Sequence, residues 1–89
     1  MIRATLFFSG RVQGVGFRFH SSQIAKNFSV TGTVENCLDG RVKMVVEADS
    51  AEIDRFIDAI QISIPGKIQR IERFESEPSH EFGNFSVRH

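Results

Sequence analysis

The sequence has 89 residues, which is enough for one domain with its own core but too few for two. Its eleven basic and eleven acidic side chains cancel, so bulk charge provides no affinity for nucleic acid or membranes. No apolar run reaches the ~18 residues of a membrane span, and the N-terminus lacks a signal-peptide pattern. The single cysteine excludes an internal disulfide framework and fits a reducing compartment. We therefore expect one cytoplasmic domain over residues 1–89, with no membrane or nucleic-acid partner.

The first half of the chain predicts strand, helix, strand and strand. An apolar run from Ile2 to Phe8 is typical of a strand, and a helix is predicted from about Phe19 to Phe28. Thr33 to Leu38 and Arg41 to Ala48 have the composition of strands. They flank Asp39-Gly40, which is a strong signal for a two-residue hairpin turn.

The second half predicts one more helix and further strand structure. A helix is expected from an N-cap at Ser50 to Pro65-Gly66, with an apolar stripe made of Ile53, Phe56, Ile57 and Ile60. Lys67 to Glu75 has weak strand character, and Phe82 to Arg88 is predicted to be a short final strand. Two strand–helix–strand units with a hairpin between them indicate an α+β fold of the ferredoxin-like βαββαβ type. We expect an antiparallel sheet with two helices on one face.

The segment between the first strand and the first helix has the composition of an anion-binding loop. Gly14 and Gly16 allow consecutive backbone N–H groups to point inward, and a helix N-terminus adds further donors. Arg18 at the helix start supplies a planar fork suited to phosphate oxygens, and no acidic residue occurs before Glu35. The expected donors are the backbone N–H groups of Gln13, Gly14, Val15, Gly16, Phe17 and Arg18.

A glycine-rich loop of this kind has other possible roles. A glycine-rich turn from strand to helix can merely change the direction of the chain. A Walker-type loop would end in Gly-Lys-Ser/Thr, whereas Gly16 here precedes Phe17-Arg18. A dinucleotide fingerprint would need a third glycine at position 19, which is Phe19.

Two motifs together resemble the acylphosphatase family. The stretch from Gly10 to Arg18 is similar to the signature of that family, and the stretch from Gly32 to Val42 resembles its second motif, Gly-x-Val-x-Asn-x-x-Asp-Gly-x-Val. The resemblance implies a hydrolase that cleaves acyl phosphates, with the loop as phosphate cradle. It also implies that Arg18 clamps the anion and that Asn36 orients water. The chain departs from the family pattern at Thr33 and Glu35, which affects substrate affinity and local charge more than the reaction.

The predicted topology brings these residues together. The first two strands run in the same direction with one strand between them, so their C-terminal ends lie roughly 10 Å apart at the same edge of the sheet. Because neither motif offers a free histidine or carboxylate, we expect direct attack of water on phosphorus, without a phosphoenzyme, metal or cofactor. Glu35 should face away from Asn36, and Asp39 is occupied by the turn. The expected partner is an acyl phosphate, inorganic phosphate or sulfate should compete with it, and the protein should be a monomer.

Three other functions remain open at this stage. An RNA-recognition module is disfavoured because its aromatic motif lies on the third strand, where Val42 to Val46 has no aromatic residue. A hydrolase module of larger carbamoyl-transfer proteins is a second alternative, although a free-standing enzyme is favoured by the length. A non-catalytic domain that only binds phosphate or acyl phosphate is the third.

Overall fold

One five-stranded sheet and two helices make up the protein. The computed structural model describes residues 1–89. The elements are β1 (Ile2–Gly10), α1 (Phe17–Ala25), β2 (Thr31–Asn36), β3 (Val42–Ala48), α2 (Ser50–Ser63), β4 (Ile68–Ser76) and β5 (Phe85–Arg88). The strand order is β4-β1-β3-β2-β5, so β3 lies between β1 and β2 as predicted. The α+β, ferredoxin-like fold is therefore confirmed.

The sheet differs from the prediction at one edge. Four strands are paired antiparallel, but β5 is paired parallel to β2, so the whole sheet is mixed. The strand predicted weakly over Lys67 to Glu75 is β4, and the predicted final strand over Phe82 to Arg88 is β5, which begins only at Phe85. The parallel pairing follows from the connection between them, residues 77–84, which leads from one edge of the sheet to the other.

The core lies between the helices and one face of the sheet. Alternate residues of β1 (Ala4, Leu6 and Phe8) are fully buried on this face, as the two-residue period of a strand requires. They pack with buried side chains of both helices, and the ring centroids of Phe8 and Phe17 lie 5.0 Å apart. The predicted apolar stripe of α2 is the buried one: Ile53, Phe56, Ile57 and Ile60.

Both helices begin one or two residues away from the predicted positions. Helix α1 starts at Phe17, not Phe19, because Gly16 in the left-handed region serves as its N-cap. Helix α2 has Asp49, not Ser50, at its N-cap, and neither helix has a side-chain cap hydrogen bond. Neither helix combines the length and apolar character that a membrane crossing needs.

The other face of the sheet carries a buried carboxylate that fixes the segment 77–84. Glu47 of β3 is 2% exposed, and it accepts hydrogen bonds from the backbone N–H groups of Ser79 and His80 at 2.7 and 2.9 Å. The guanidinium of Arg3 donates to the same carboxylate at 2.8 Å. The segment is therefore held against this face, and it connects β4 at one edge of the sheet to β5 at the other.

Candidate active site

The loop between β1 and α1 turns at two glycines with left-handed backbone. Gly14 has φ 75° and Gly16 has φ 79°, a region that residues with a Cβ rarely adopt. Space around Gly14 is open, whereas a Cβ on Gly16 would lie 3.3 Å from the ring of His20. The glycines therefore set the direction in which the loop enters the helix.

The backbone N–H groups of this loop are free to bind an anion. None of the six N–H groups from Gln13 to Arg18 donates to a backbone carbonyl. No side chain caps α1, and its first turn contains no acidic residue. Because unpaired donors and the positive end of the helix dipole coincide here, the loop favours a negative charge.

Arg18 lies in the first turn of α1, next to these donors. A cation at this position opposes the helix dipole, so it is unfavourable unless an anion lies nearby. Its guanidinium donates one hydrogen bond, at 3.1 Å, to the backbone carbonyl of Arg88 in β5. This bond fixes the position of the fork, since an arginine carries five N–H donors and the others remain available.

Asn36 is the last residue of β2, and it reaches the same edge of the sheet. It is paired in register with Val42, which is paired with Phe8, so its side chain lies on the helix-bearing face. The side-chain amide of Gln13 donates to the carbonyls of Cys37 and Arg41, both at 2.8 Å. Gln13 thereby joins the loop to the hairpin that carries Asn36, and its side chain stabilises the loop.

One pocket contains most of the predicted site residues. Its volume is about 310 Å³, and it is lined by Val12, Gly14, Gly16, Phe17, Arg18, Phe19, Asn36, Val87 and His89. Gln13 and Val15 do not line it; Val15 packs against the core instead. Arg18 and Asn36 are thus brought together as the topology predicted. Their catalytic roles stay predictions.

Sequence reasoning missed the contribution of β5 to this pocket. Val87 and His89 line it because β5 runs parallel to β2 and ends at the same edge as Asn36. The apolar alternation of Phe85 and Val87 indicated a strand. The local sequence does not predict, however, which strand it pairs with in a parallel arrangement. His89 is exposed and lines the pocket.

Carboxylates lie outside the pocket. Glu35 is paired in register with Lys43 on the opposite face of the sheet, as predicted for a neighbour of Asn36. Asp39 accepts hydrogen bonds from the backbone N–H and the guanidinium of Arg41, and these lower the pKa of its carboxyl. No group of three or more His, Cys, Asp or Glu side chains is arranged to hold a metal ion. The pocket therefore presents amide donors, an arginine, an asparagine and the imidazole of His89.

Comparison with known proteins identifies a family. A family model described as Acylphosphatase matches residues 4–87. The curated Acylphosphatase of Mannheimia succiniciproducens is 34% identical over 90 aligned positions, covering 100% of both chains. The crystal structure of acylphosphatase from Bacillus subtilis has a TM-score of 0.90 and 31% identity, again over 100% of both chains. The crystal structure of T. kodakarensis HypF has a TM-score of 0.85 and 31% identity, covering 100% of this chain but 12% of that chain.

Proposed function

Because the chain belongs to the acylphosphatase family, whose members hydrolyse acyl phosphates, we propose how its own residues carry out that reaction. The phosphoryl group binds in the cradle formed by the backbone N–H groups of residues 13–18. Arg18 clamps its oxygens, and Asn36 orients the attacking water. The reaction produces a carboxylate and inorganic phosphate.

The six unpaired N–H groups beside Arg18 carry this proposal. These N–H groups have no partner in the protein, so a ligand can bind to them without breaking a hydrogen bond within the protein. Arg18 supplies the only guanidinium among the residues lining the pocket. Asn36 reaches the same pocket from the other strand end, and its amide has both an acceptor and donors for a water molecule.

Direct attack of water fits the leaving group. A carboxylic acid has a pKa near ~4, so the carboxylate departs without a general acid. As the bond from the water oxygen to phosphorus forms, the bond from phosphorus to the acyl oxygen breaks, and the carboxylate takes the electron pair. A phosphoryl oxygen accepts the proton from the water; none of the lining side chains is a carboxylate, and the imidazole of His89 is exposed. The amide donors and Arg18 hold the charge of the transition state.

Arg18 is tested by binding and catalysis together. Arg18→Gln should reduce kcat/KM for acetyl phosphate by about tenfold to a hundredfold, since a charged hydrogen bond contributes roughly 1.5–3 kcal/mol. It should also abolish the rise of several degrees in Tm that tens of millimolar phosphate or sulfate gives the unmodified protein. Arg18→Lys should restore little, because a point charge cannot make the paired contact.

Arg11→Gln is the matched control for these variants. Arg11 is exposed at the start of the same loop and does not line the pocket, so its replacement should change neither quantity. Near-normal turnover in Arg18→Lys would show that charge alone suffices. A Tm that does not respond to phosphate in the unmodified protein would contradict the cradle itself.

We also propose that residues 1–89 act as one monomeric domain in the cytoplasm. The single cysteine is free, as expected in a reducing compartment. The edge strand β4 carries charged side chains at Arg70, Glu72, Arg73 and Glu75, and charges on an edge strand oppose pairing with a second copy. Light scattering at micromolar concentration should give the mass of one chain.

A further inference from the structure

The pocket is larger than a phosphate ion requires, and part of its wall is apolar. Its volume of about 310 Å³ exceeds the space of an anion with five heavy atoms, which displaces about three waters of ~30 Å³ each. Val12 and Phe17 are 1% exposed and form its buried floor. Phe19 and Val87 also line it, and neither belongs to the buried core. Space and apolar surface therefore remain beside the phosphate cradle.

Phe19 is exposed although it lies next to a buried residue of the same helix. The core-facing residues of α1 are Phe17, Ser21 and Ala25, and Phe19 points away from this stripe with 62% of its surface exposed. Its aromatic neighbour is His20, with ring centroids 5.9 Å apart. Phe74 is similarly exposed, at 56%, but it packs edge-on against Phe7 on the other face of the sheet. Phe19 alone among the large exposed apolar side chains lines the pocket.

We propose that Phe19 selects the acyl group of the substrate and that, with Val87, it favours acyl phosphates whose acyl group is aromatic. The proposal rests on the proposed placement of the phosphoryl group in the cradle. Phe19 and Arg18 line the same pocket, so an acyl group that extends from the cradle within this pocket meets the exposed ring. A flat apolar acyl group covers that ring, whereas a two-carbon acyl group leaves it in water.

The test compares an aromatic and a short aliphatic substrate in matched variants. The ratio of kcat/KM for benzoyl phosphate to that for acetyl phosphate is measured in the unmodified protein, Phe19→Ala and Phe74→Ala. Intrinsic reactivity of the two anhydrides is the same in every protein, so it cancels when ratios are compared. Phe19→Ala should lower the ratio by about threefold to tenfold, mainly through KM for benzoyl phosphate. Phe74→Ala should leave it unchanged.

Failure of this inference is distinguishable from failure of the proposed function. If Arg18→Gln removes hydrolysis of both substrates but Phe19→Ala leaves the ratio within twofold, the assignment of Phe19 is wrong and the cradle stands. A fall of the same size in the kcat/KM ratio of Phe74→Ala would also overturn the assignment of Phe19, because the effect would then not be local to the pocket. If Arg18→Gln affects neither substrate, the proposed placement of the phosphate fails as well.

Discussion

Asn36 is held by a strand on one side and by the loop on the other. It ends β2 on the helix-bearing face, and the adjacent carbonyl of Cys37 accepts a hydrogen bond from Gln13. A residue that orients water needs such support, since a small displacement of the attacking atom costs much of the rate. An asparagine also brings a water close to an anionic substrate without adding negative charge.

Replacement of Asn36 should separate catalysis from phosphate binding. Asn36→Ala should lower kcat by about tenfold to a thousandfold and leave the inhibition constant of phosphate within about twofold, because the proposed role of the amide is to contact water and not the anion. Asn36→Asp keeps the shape and an acceptor but places a negative charge beside the substrate, so it should be impaired at least as severely. Steady-state kinetics with phosphate as competitive inhibitor measure both quantities.

The control is Asn84→Asp, a change of the same kind in the exposed segment before β5, which should leave kcat unaltered. An active Asn36→Asp would mean that this position acts as a base. A large loss of phosphate affinity in Asn36→Ala would place the amide on the anion instead.

At the level of elements, the segment 77–84 depends on one carboxylate. Burial alone would raise the pKa of Glu47, but hydrogen bonds from the Ser79 N–H, the Arg3 guanidinium and the His80 N–H outweigh it and lower that pKa to about 2. The folded-state pKa lies below the ordinary value of 4.5. Glu47 therefore stabilises the fold fully above the ordinary value, and the contribution is lost as the pH falls towards the folded-state value.

Glu47→Gln should lower the free energy of unfolding at pH 7 by about 2–3 kcal/mol, since it removes a buried, charged acceptor. The difference from the unmodified protein should shrink by more than half at about pH 3, where the carboxylate of the unfolded chain is protonated. Urea unfolding at several pH values measures it. Glu81 is also bound to Arg3 but is 59% exposed, so Glu81→Gln should cost much less. An unchanged difference between pH 7 and pH 3 would contradict the role of Glu47.

The sequence could predict those features of the fold and the site that depend on residues close together in the chain. The left-handed glycines and a cation at a helix start act within a few residues, so the local composition of the loop was predictable, and the topology predicted that Arg18 and Asn36 meet at one pocket. The Asp39-Gly40 signal located the hairpin, but the prediction of a two-residue turn was wrong: β2 ends at Asn36 and β3 begins at Val42, so residues 37–41 connect them. The conflict between Arg18 and the helix dipole was itself evidence for an anion. The bond from Arg18 to the Arg88 carbonyl and the parallel pairing of β5 depend on residues far apart in the chain, and no periodicity encodes them.

For the whole molecule, equal numbers of acidic and basic residues mean that attraction for an anionic substrate must arise at the pocket. The formal net charge is zero, so the net charge of the protein provides no long-range attraction for acyl phosphates. In the proposed site, the amide donors and Arg18 neutralise the anion at short range, where other phosphoryl-transfer enzymes use Mg²⁺.

Hydrolysis should accordingly survive exhaustive treatment with EDTA. We expect kcat/KM for acetyl phosphate to stay within about twofold, because amide donors and arginine neutralise the transferred group. The rate is measured before and after chelation and again after addition of Mg²⁺, with the spontaneous rate subtracted in each buffer. Loss of activity that Mg²⁺ restores would contradict the proposed neutralisation.

The hydrogen bond between Arg18 and the Arg88 carbonyl also bears on when the pocket forms during synthesis of the chain. These residues are separated by 70 positions, so the pocket is complete only after nearly the whole length of the domain has been synthesised. At about 5–20 residues per second, Arg88 follows Arg18 out of the ribosome by roughly 4–14 s. During that interval β2 has an open edge, and pairing over such a long separation is slow. The same C-terminal segment therefore completes both the edge of the sheet and the wall of the pocket.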